Sequence, residues 1–260
     1  MNVLKEVSAG TARWFHRPAP RPSARVRLVC VPHAGAGAAT FDRWAAGLPD
    51  EVEVVAVRLP GRETRMRERP FSAWAPLAEE FAEALEDRVP SPYVLFGHSM
   101  GAMLVYETLV RGVGRSPERV ILSGCRAPDV PRALPAIHDL PSDRFVAELG
   151  RLAGTPPEVL GAPRLMAAFE PVLRADIRLA ETWSRRRPSP VPVPLTVFWG
   201  TDDEVAPPQA VTAWRALAAR GFTGHAVRGG HFFFREHAPE FLGLLRGELS
   251  RALPDGRDAA

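Results

Sequence analysis

Short apolar runs alternate along this chain with longer stretches in which apolar positions recur every three or four residues. Residues 26–32 (VRLVCVP), 52–58 (VEVVAVR), 93–97 (YVLFG), 119–124 (RVILSG), 195–200 (LTVFWG) and 222–228 read as strands. The first five are almost continuous in apolar residues, as strands covered on both faces are. Helical patterns fall at 41–48, 74–88, 100–113, 209–220 and 238–252. The alternation predicts a mostly parallel central sheet with helices on both faces and right-handed crossovers between strands.

The rhythm breaks between about 126 and 194. No strand pattern occurs there, but helical patterns do, at 142–152 and 163–183. Ser142 and Asp143, just ahead of FVAEL, mark a helix start, and Pro188, Pro190, Pro192 and Pro194 make a stiff return to the sheet. So long a segment exceeds a plain connection. It predicts a helical lid, about 126–194, inserted in one α/β domain that spans residues 1–260. The competing reading is an ordinary pair of layer helices. No internal repeat occurs, and residues 254–260 read as disordered.

Composition narrows the classes. A chain of 260 residues that is 46% hydrophobic supplies one sizeable core. A net charge of +3, with Lys5 the sole lysine and no basic stripe interleaved with aromatics, excludes a nucleic-acid footprint. The densest basic patch, Arg185-Arg186-Arg187, reads as a solvated helix end. Cys30 and Cys125 sit in or beside strand runs, which fits buried thiols in a reducing compartment. Residues 1–17 mix charges without an apolar centre, so they do not form a signal peptide. No apolar run approaches the roughly 20 residues that span a bilayer. The expectation is a soluble, cytoplasmic monomer with no membrane or nucleic-acid partner.

The sharpest chemical signal is Gly97-His98-Ser99-Met100-Gly101, set between the strand YVLFG and the helical run AMLVYETLV. G-x-S-x-G in that setting is a nucleophile elbow, in which a strained strand-to-helix turn exposes the serine hydroxyl. Outside that setting the pattern occurs by chance. Such a hydroxyl needs a base. Of seven histidines, His16 precedes the sheet, His33 follows the first strand and His98 lies within the elbow, poorly placed to reach Ser99. His138 falls in the lid, and His225, inside the last strand run, reads as structural. His231, in Gly229-Gly230-His231-Phe232-Phe233 after the last strand, is preferred as the base over His237. An imidazole base needs a carboxylate to fix its tautomer. The loop after LTVFWG offers Asp202, Asp203 and Glu204, of which Asp203 is preferred and Asp202 remains open. Acidic loop residues are otherwise turn formers or helix caps. For the oxyanion, the backbone amides of Met100 and of Ala34, in the small-residue loop His33–Gly37, are the expected donors. The order Ser, Asp, His, each just after a strand, is that of the α/β-hydrolase fold.

At this point the chain resembles the type II thioesterases that accompany modular polyketide synthases and nonribosomal peptide synthetases. The residues that carry the resemblance are VCVPHAGAGAATF (29–41), VRLPGRETR (57–65), FGHSMGAMLVYE (96–107), FWGTDDEV (198–205) and GGHFFF (229–234). The PGRE segment and GGHFF are more specific than the elbow, which general lipases and esterases share. The resemblance implies a triad of Ser99, Asp203 and His231 and a lid between the sixth and seventh strands of the general fold. It implies hydrolysis of aberrant or stalled acyl thioesters from the phosphopantetheine arm of an acyl carrier protein or peptidyl carrier protein. It implies no metal and no cofactor, since the phosphopantetheine belongs to the substrate. The remaining readings are an oxygen-ester hydrolase, an acyltransferase on the same triad, and a binding module that keeps the fold without catalysis.

Overall fold

The computed structural model describes residues 13–112 and 115–253. The expectations for residues 1–12, for Val113 as a helix end and for 254–260 lie outside them. The strands are β1 (Phe15–His16), β2 (Val26–Val31), β3 (Val52–Val57), β4 (Tyr93–His98), β5 (Arg119–Ser123), β6 (Leu195–Gly200) and β7 (Phe222–Val227). They form one sheet in the order β1-β3-β2-β4-β5-β6-β7. Every pairing is parallel except that of β1 with β3. The six strands read from the sequence stand within a residue of their expected ends. β1 was not among them, and His16 lies in the sheet rather than ahead of it. A two-residue edge strand is too short to leave a period.

Side chains alternate across this sheet, as the pleat requires. Val29, Val31, Val55, Leu95 and Val120 pack on one face against α2 (Trp74–Arg88) and α3 (Met100–Val110). Leu28, Val54, Phe96 and Phe198 pack on the other against α1 (Trp44–Gly47) and the C-terminal helix (Ala238–Ser250). Two expected helices are broken. Of residues 41–48, Phe41 ends a 3-10 turn that starts at Ala38, and only α1 is helical, closed by Gly47, Leu48 and Pro49. Residues 209–220 hold a short helix at Pro208–Thr212 and a 3-10 turn at Ala213–Leu217. There Val191 forms a parallel bridge with Ala218, which draws the chain out of helical geometry.

The segment after β5 carries α4 (Ser142–Arg151), α5 (Pro157–Leu160) and α6 (Pro163–Thr182). This segment makes a small apolar cluster of its own from Ile137, Phe145, Leu149, Met166, Leu173 and Ile177, with Ala34 of the main body packed against it. α6 contains Pro171, which removes one helical hydrogen bond midway along it. Arg185 is not a solvated helix end. Its guanidinium bonds both oxygens of the buried Glu107, at 2.8 and 2.7 Å, while Arg186 and Arg187 are exposed. Cys30 and Cys125 are buried and unpaired. No helix among the described residues is long and apolar enough to cross a membrane.

Candidate active site

β4 runs into α3 with a single residue between them, so the whole reversal falls on Ser99. Its φ of 54° and ψ of −118° lie where side chains rarely go. The surroundings hold it there. The Ser99 amide donates to the Ser123 carbonyl at 2.8 Å, and its own carbonyl accepts from Ala102 at 3.0 Å. The motif's glycines are required by contact: a Cβ on Gly97 would sit 2.3 Å from Gly101 O, and one on Gly101 2.3 Å from Val31 O. The first amides of α3 have no acceptor within the helix, and Met100 is the first of them.

Two loops meet beyond the neighbouring strand ends. A Cβ on Gly200 would lie 2.3 Å from Gly230 O, and the Asp202 amide donates to Gly229 O at 2.9 Å. This backbone contact brings the loop after β6 against the loop after β7. His231 Nδ1–H donates to Asp203 Oδ2 at 2.8 Å, while Asp203 Oδ1 accepts the amides of Val205 and Ala206 at 2.9 Å each. Asp203 is 3% exposed, whereas Asp202 and Glu204 are exposed and Asp202 takes only the Thr201 hydroxyl, at 2.9 Å. Of the three adjacent acids, Asp203 alone meets an imidazole. Gly124, at φ 54°, leaves room for the ring: a Cβ there would lie 3.2 Å from His231 Cε1.

Five of the other six histidines have other partners, and none of the six bonds Asp203. His16 meets Asp42 at 3.0 Å, His225 meets Glu248 at 2.9 Å, and His138 is bonded to Glu181. His98 is buried with its Nδ1 on the Ser123 hydroxyl at 2.9 Å. Arg235 donates to His33 Nε2 at 3.2 Å. Burial, then the charge of Arg235, pushes His33 well below an ordinary imidazole, and burial chiefly does the same for His98. The His98 ring packs beside His231, with centroids 4.9 Å apart, and the His33 ring packs in turn on His98 at 5.9 Å, so neither takes the carboxylate of Asp203.

Ser99, His231, His33 and Ala34 line one cavity of about 610 Å³. Apolar side chains of the segment after β5, among them Ile137, Leu149, Leu173 and Ile177, line it too, with Arg132, Arg144 and Arg151. Cys125 also borders it, but burial pushes its thiol up to about 12, so it does not rival Ser99 as a nucleophile.

The loop after β2 is held from two sides. The Ala36 amide closes a turn on His33 O at 3.1 Å, with Gly35 at φ 75°. Gly35 N–H donates to Asp176 Oδ2 of α6 at 2.8 Å. Arg62 bonds both Asp176 oxygens, at 2.7 and 3.0 Å, and also donates to Ala36 O at 3.1 Å. Its neighbour Glu63 accepts the Ala39 amide at 3.1 Å. The PGRE segment is thus a brace for the loop that carries Ala34. Asp176 was missed in the sequence, although an acid between Val172, Leu173 and Ile177 on an apolar helix face is the signal that marks it.

The model of the thioesterase domain family matches residues 26–249 of the chain. The gramicidin S biosynthesis protein GrsT of Aneurinibacillus migulanus is 34% identical over 244 residues, covering 93% of this chain and 95% of that protein. Thioesterase PikA5 of Streptomyces venezuelae is 34% identical over 260 residues, covering 97% and 92%. The solved structure of BorB, a type II thioesterase from the borrelidin biosynthetic cluster, superposes with a TM-score of 0.82 at 34% identity, covering 93% of this chain and 98% of that one. The family match runs from the first parallel strand to the last helix, and the chain belongs to the thioesterase domain family, in company with the type II thioesterases.

Proposed function

We propose that this thioesterase hydrolyses acyl groups from the phosphopantetheine arm of an acyl or peptidyl carrier protein, with Ser99, His231 and Asp203 as its catalytic triad. The observation that carries the reading is the 2.8 Å bond from His231 to the buried Asp203, on a cavity that the strained Ser99 also lines. Asp203 fixes the tautomer that leaves Nε2 basic and stabilises the charged ring. His231 takes the Ser99 proton as Oγ attacks the thioester carbonyl. The amides of Met100 and Ala34 receive the oxyanion, a thiol leaves, and His231 then activates water to free the acid. These steps ask for no metal and no cofactor. GrsT and BorB come from assembly-line biosynthesis, which supports a carrier-bound substrate and an editing role. The segment 126–194 acts as the lid over the acyl group. The enzyme works as a monomer in the cytoplasm, a reducing compartment in which two unpaired buried thiols are at home.

The test loads a panel of acyl groups on phosphopantetheinylated carrier protein and follows their loss by intact mass. Wild type removes the acyl mass, and Ser99→Ala is slower by about 10⁴-fold or more. Acyl groups that persist while a small oxygen ester is cleaved would sink the carrier-protein assignment and leave the triad. Transfer to an added alcohol or amine in place of water would make the enzyme an acyltransferase.

A further inference from the structure

The grip on the loop after β2 comes from a helix outside the sheet's own layers. We infer that Asp176 and Arg62 are positioning residues for the oxyanion hole, so that the hole is assembled only while the second half of α6 is seated. The inference rests on the reading above, in which the Ala34 amide is an oxyanion donor.

The physical case begins with the turn. Ala34 and Gly35 are the central residues of the turn that Ala36 N–H closes on His33 O. Two turn types share that closure and differ by a flip of the central peptide. The flip would carry Gly35 N–H away and swing Ala34 C=O into its place. Asp176 Oδ2 accepts Gly35 N–H at 2.8 Å, so a flipped carbonyl would face a carboxylate. One turn is thereby selected and the peptide that follows Ala34 is fixed, which anchors the loop that carries the Ala34 amide. Arg62 completes the device. It holds both Asp176 oxygens, fixes Ala36 O and also bonds Pro60 O at 3.2 Å, tying α6, the turn and the PGRE segment at one buried point. Both side chains are about 5% exposed or less. Removing water makes each of these bonds costly to break, because either partner alone would be an unpaired buried charge. Leu173, one turn before Asp176, packs against Gly35 so closely that a Cβ on Gly35 would lie 2.2 Å from Leu173 Cδ2.

The same contacts divide α6. Beyond Pro171, the helix is tied to the loop through Leu173 and Asp176, and its end buries Leu179 in the core that contains α2 and α3. Before Pro171, Leu165 and Phe169 are exposed.

The experiment compares wild type, Asp176→Asn, Asp176→Ala and the double variant Arg62→Met with Asp176→Leu. A buried ion pair exchanged for apolar groups of similar size commonly leaves folding intact, so the double variant guards against an unfolded result. Melting temperature, kcat and KM for a small acyl thioester, and affinity for an alkyl boronic acid are measured on each. The boronate forms a tetrahedral adduct on Ser99 and reports the oxyanion hole directly. The expected result is a kcat lower by about 10-fold or more in the double variant and in Asp176→Ala, since losing one donor outright costs roughly 10²–10³. KM should change less than threefold, and boronate affinity should fall in parallel with kcat. Asp176→Asn, which keeps an oxygen for Gly35 N–H, should recover most of kcat. A folded double variant with wild-type kcat and boronate affinity overturns the inference, as does a change confined to KM. A wild type that binds boronate yet cleaves no thioester would instead defeat the functional reading.

Discussion

At Asp203 and Asp202, adjacent residues of the same chemistry come to opposite fates. Asp203 accepts two amides with one oxygen and the imidazole with the other, inside the protein, while Asp202 stays at the surface on a threonine hydroxyl. Replacing Asp203 by Asn keeps the shape but lets the amide donate to Nδ1, which favours the wrong tautomer. Asp203→Asn should therefore lower kcat by about 10³–10⁴-fold, whereas Asp202→Asn should stay within about twofold, as no contact to the imidazole is lost. Steady-state hydrolysis of one thioester by both variants checks the pair. Equal losses would mean that the two acids share the role. Sequence reasoning reached Asp203 by its offset from Gly200 and could not close the choice, because burial is not a property of the loop alone.

At the scale of elements, the elbow works because β2, β4 and α3 approach at backbone distance. Gly101 lies where a methyl group would strike Val31 O at 2.3 Å, and neither backbone can give way without moving a central strand. Gly101→Ala should destabilise the fold by about 1–3 kcal/mol, the usual range for overpacking, and should lower activity as Ser99 shifts. Urea denaturation together with serine labelling by a fluorophosphonate measures both effects. An unaltered midpoint with full labelling would show that α3 slides freely over β2. The strands were legible because both faces of each are covered, so their apolar runs are nearly unbroken. β1 was not legible, nor was the break in the helix expected at 209–220, since each depends on a pairing partner far away in sequence.

For the whole molecule, acid stability follows from groups the fold has desolvated or paired. His33 and His98 are held well below their ordinary 6.5, first by burial. Below that pH the unfolded chain takes up protons that the folded chain refuses, so stability falls as pH falls. Glu248 supplies a second, lower window. Burial would raise its carboxyl, but hydrogen bonds from His225 and Thr196 and the charges of Arg119 and Arg251 outweigh burial and bring it from 4.5 to about 2. Its contribution is present above pH 4.5 and is lost between there and about 2. The urea midpoint should decline from pH 7.5 to 5.5 and more steeply below about 4.5, with the second decline reduced in Glu248→Gln. A midpoint flat from 7.5 to 5.5 would contradict the assignment of neutral buried imidazoles.

What the sequence by itself determined is whatever repeats locally or sits at a fixed offset from a strand end. The strand–helix order, the elbow at Ser99 and the placement of an acid after β6 and a histidine after β7 are of that kind. A period or a turn motif is written by neighbours in the chain, which is why one sequence suffices to find it. Only the tertiary structure decided that Asp203 rather than Asp202 meets His231, that His98 turns to Ser123, and that Arg62 and Asp176 close on the loop carrying Ala34. Each of those choices compares the desolvation of a polar group with the partner that offsets it. That balance exists only once residues 114 positions apart, as Arg62 and Asp176 are, have been brought into one dry site.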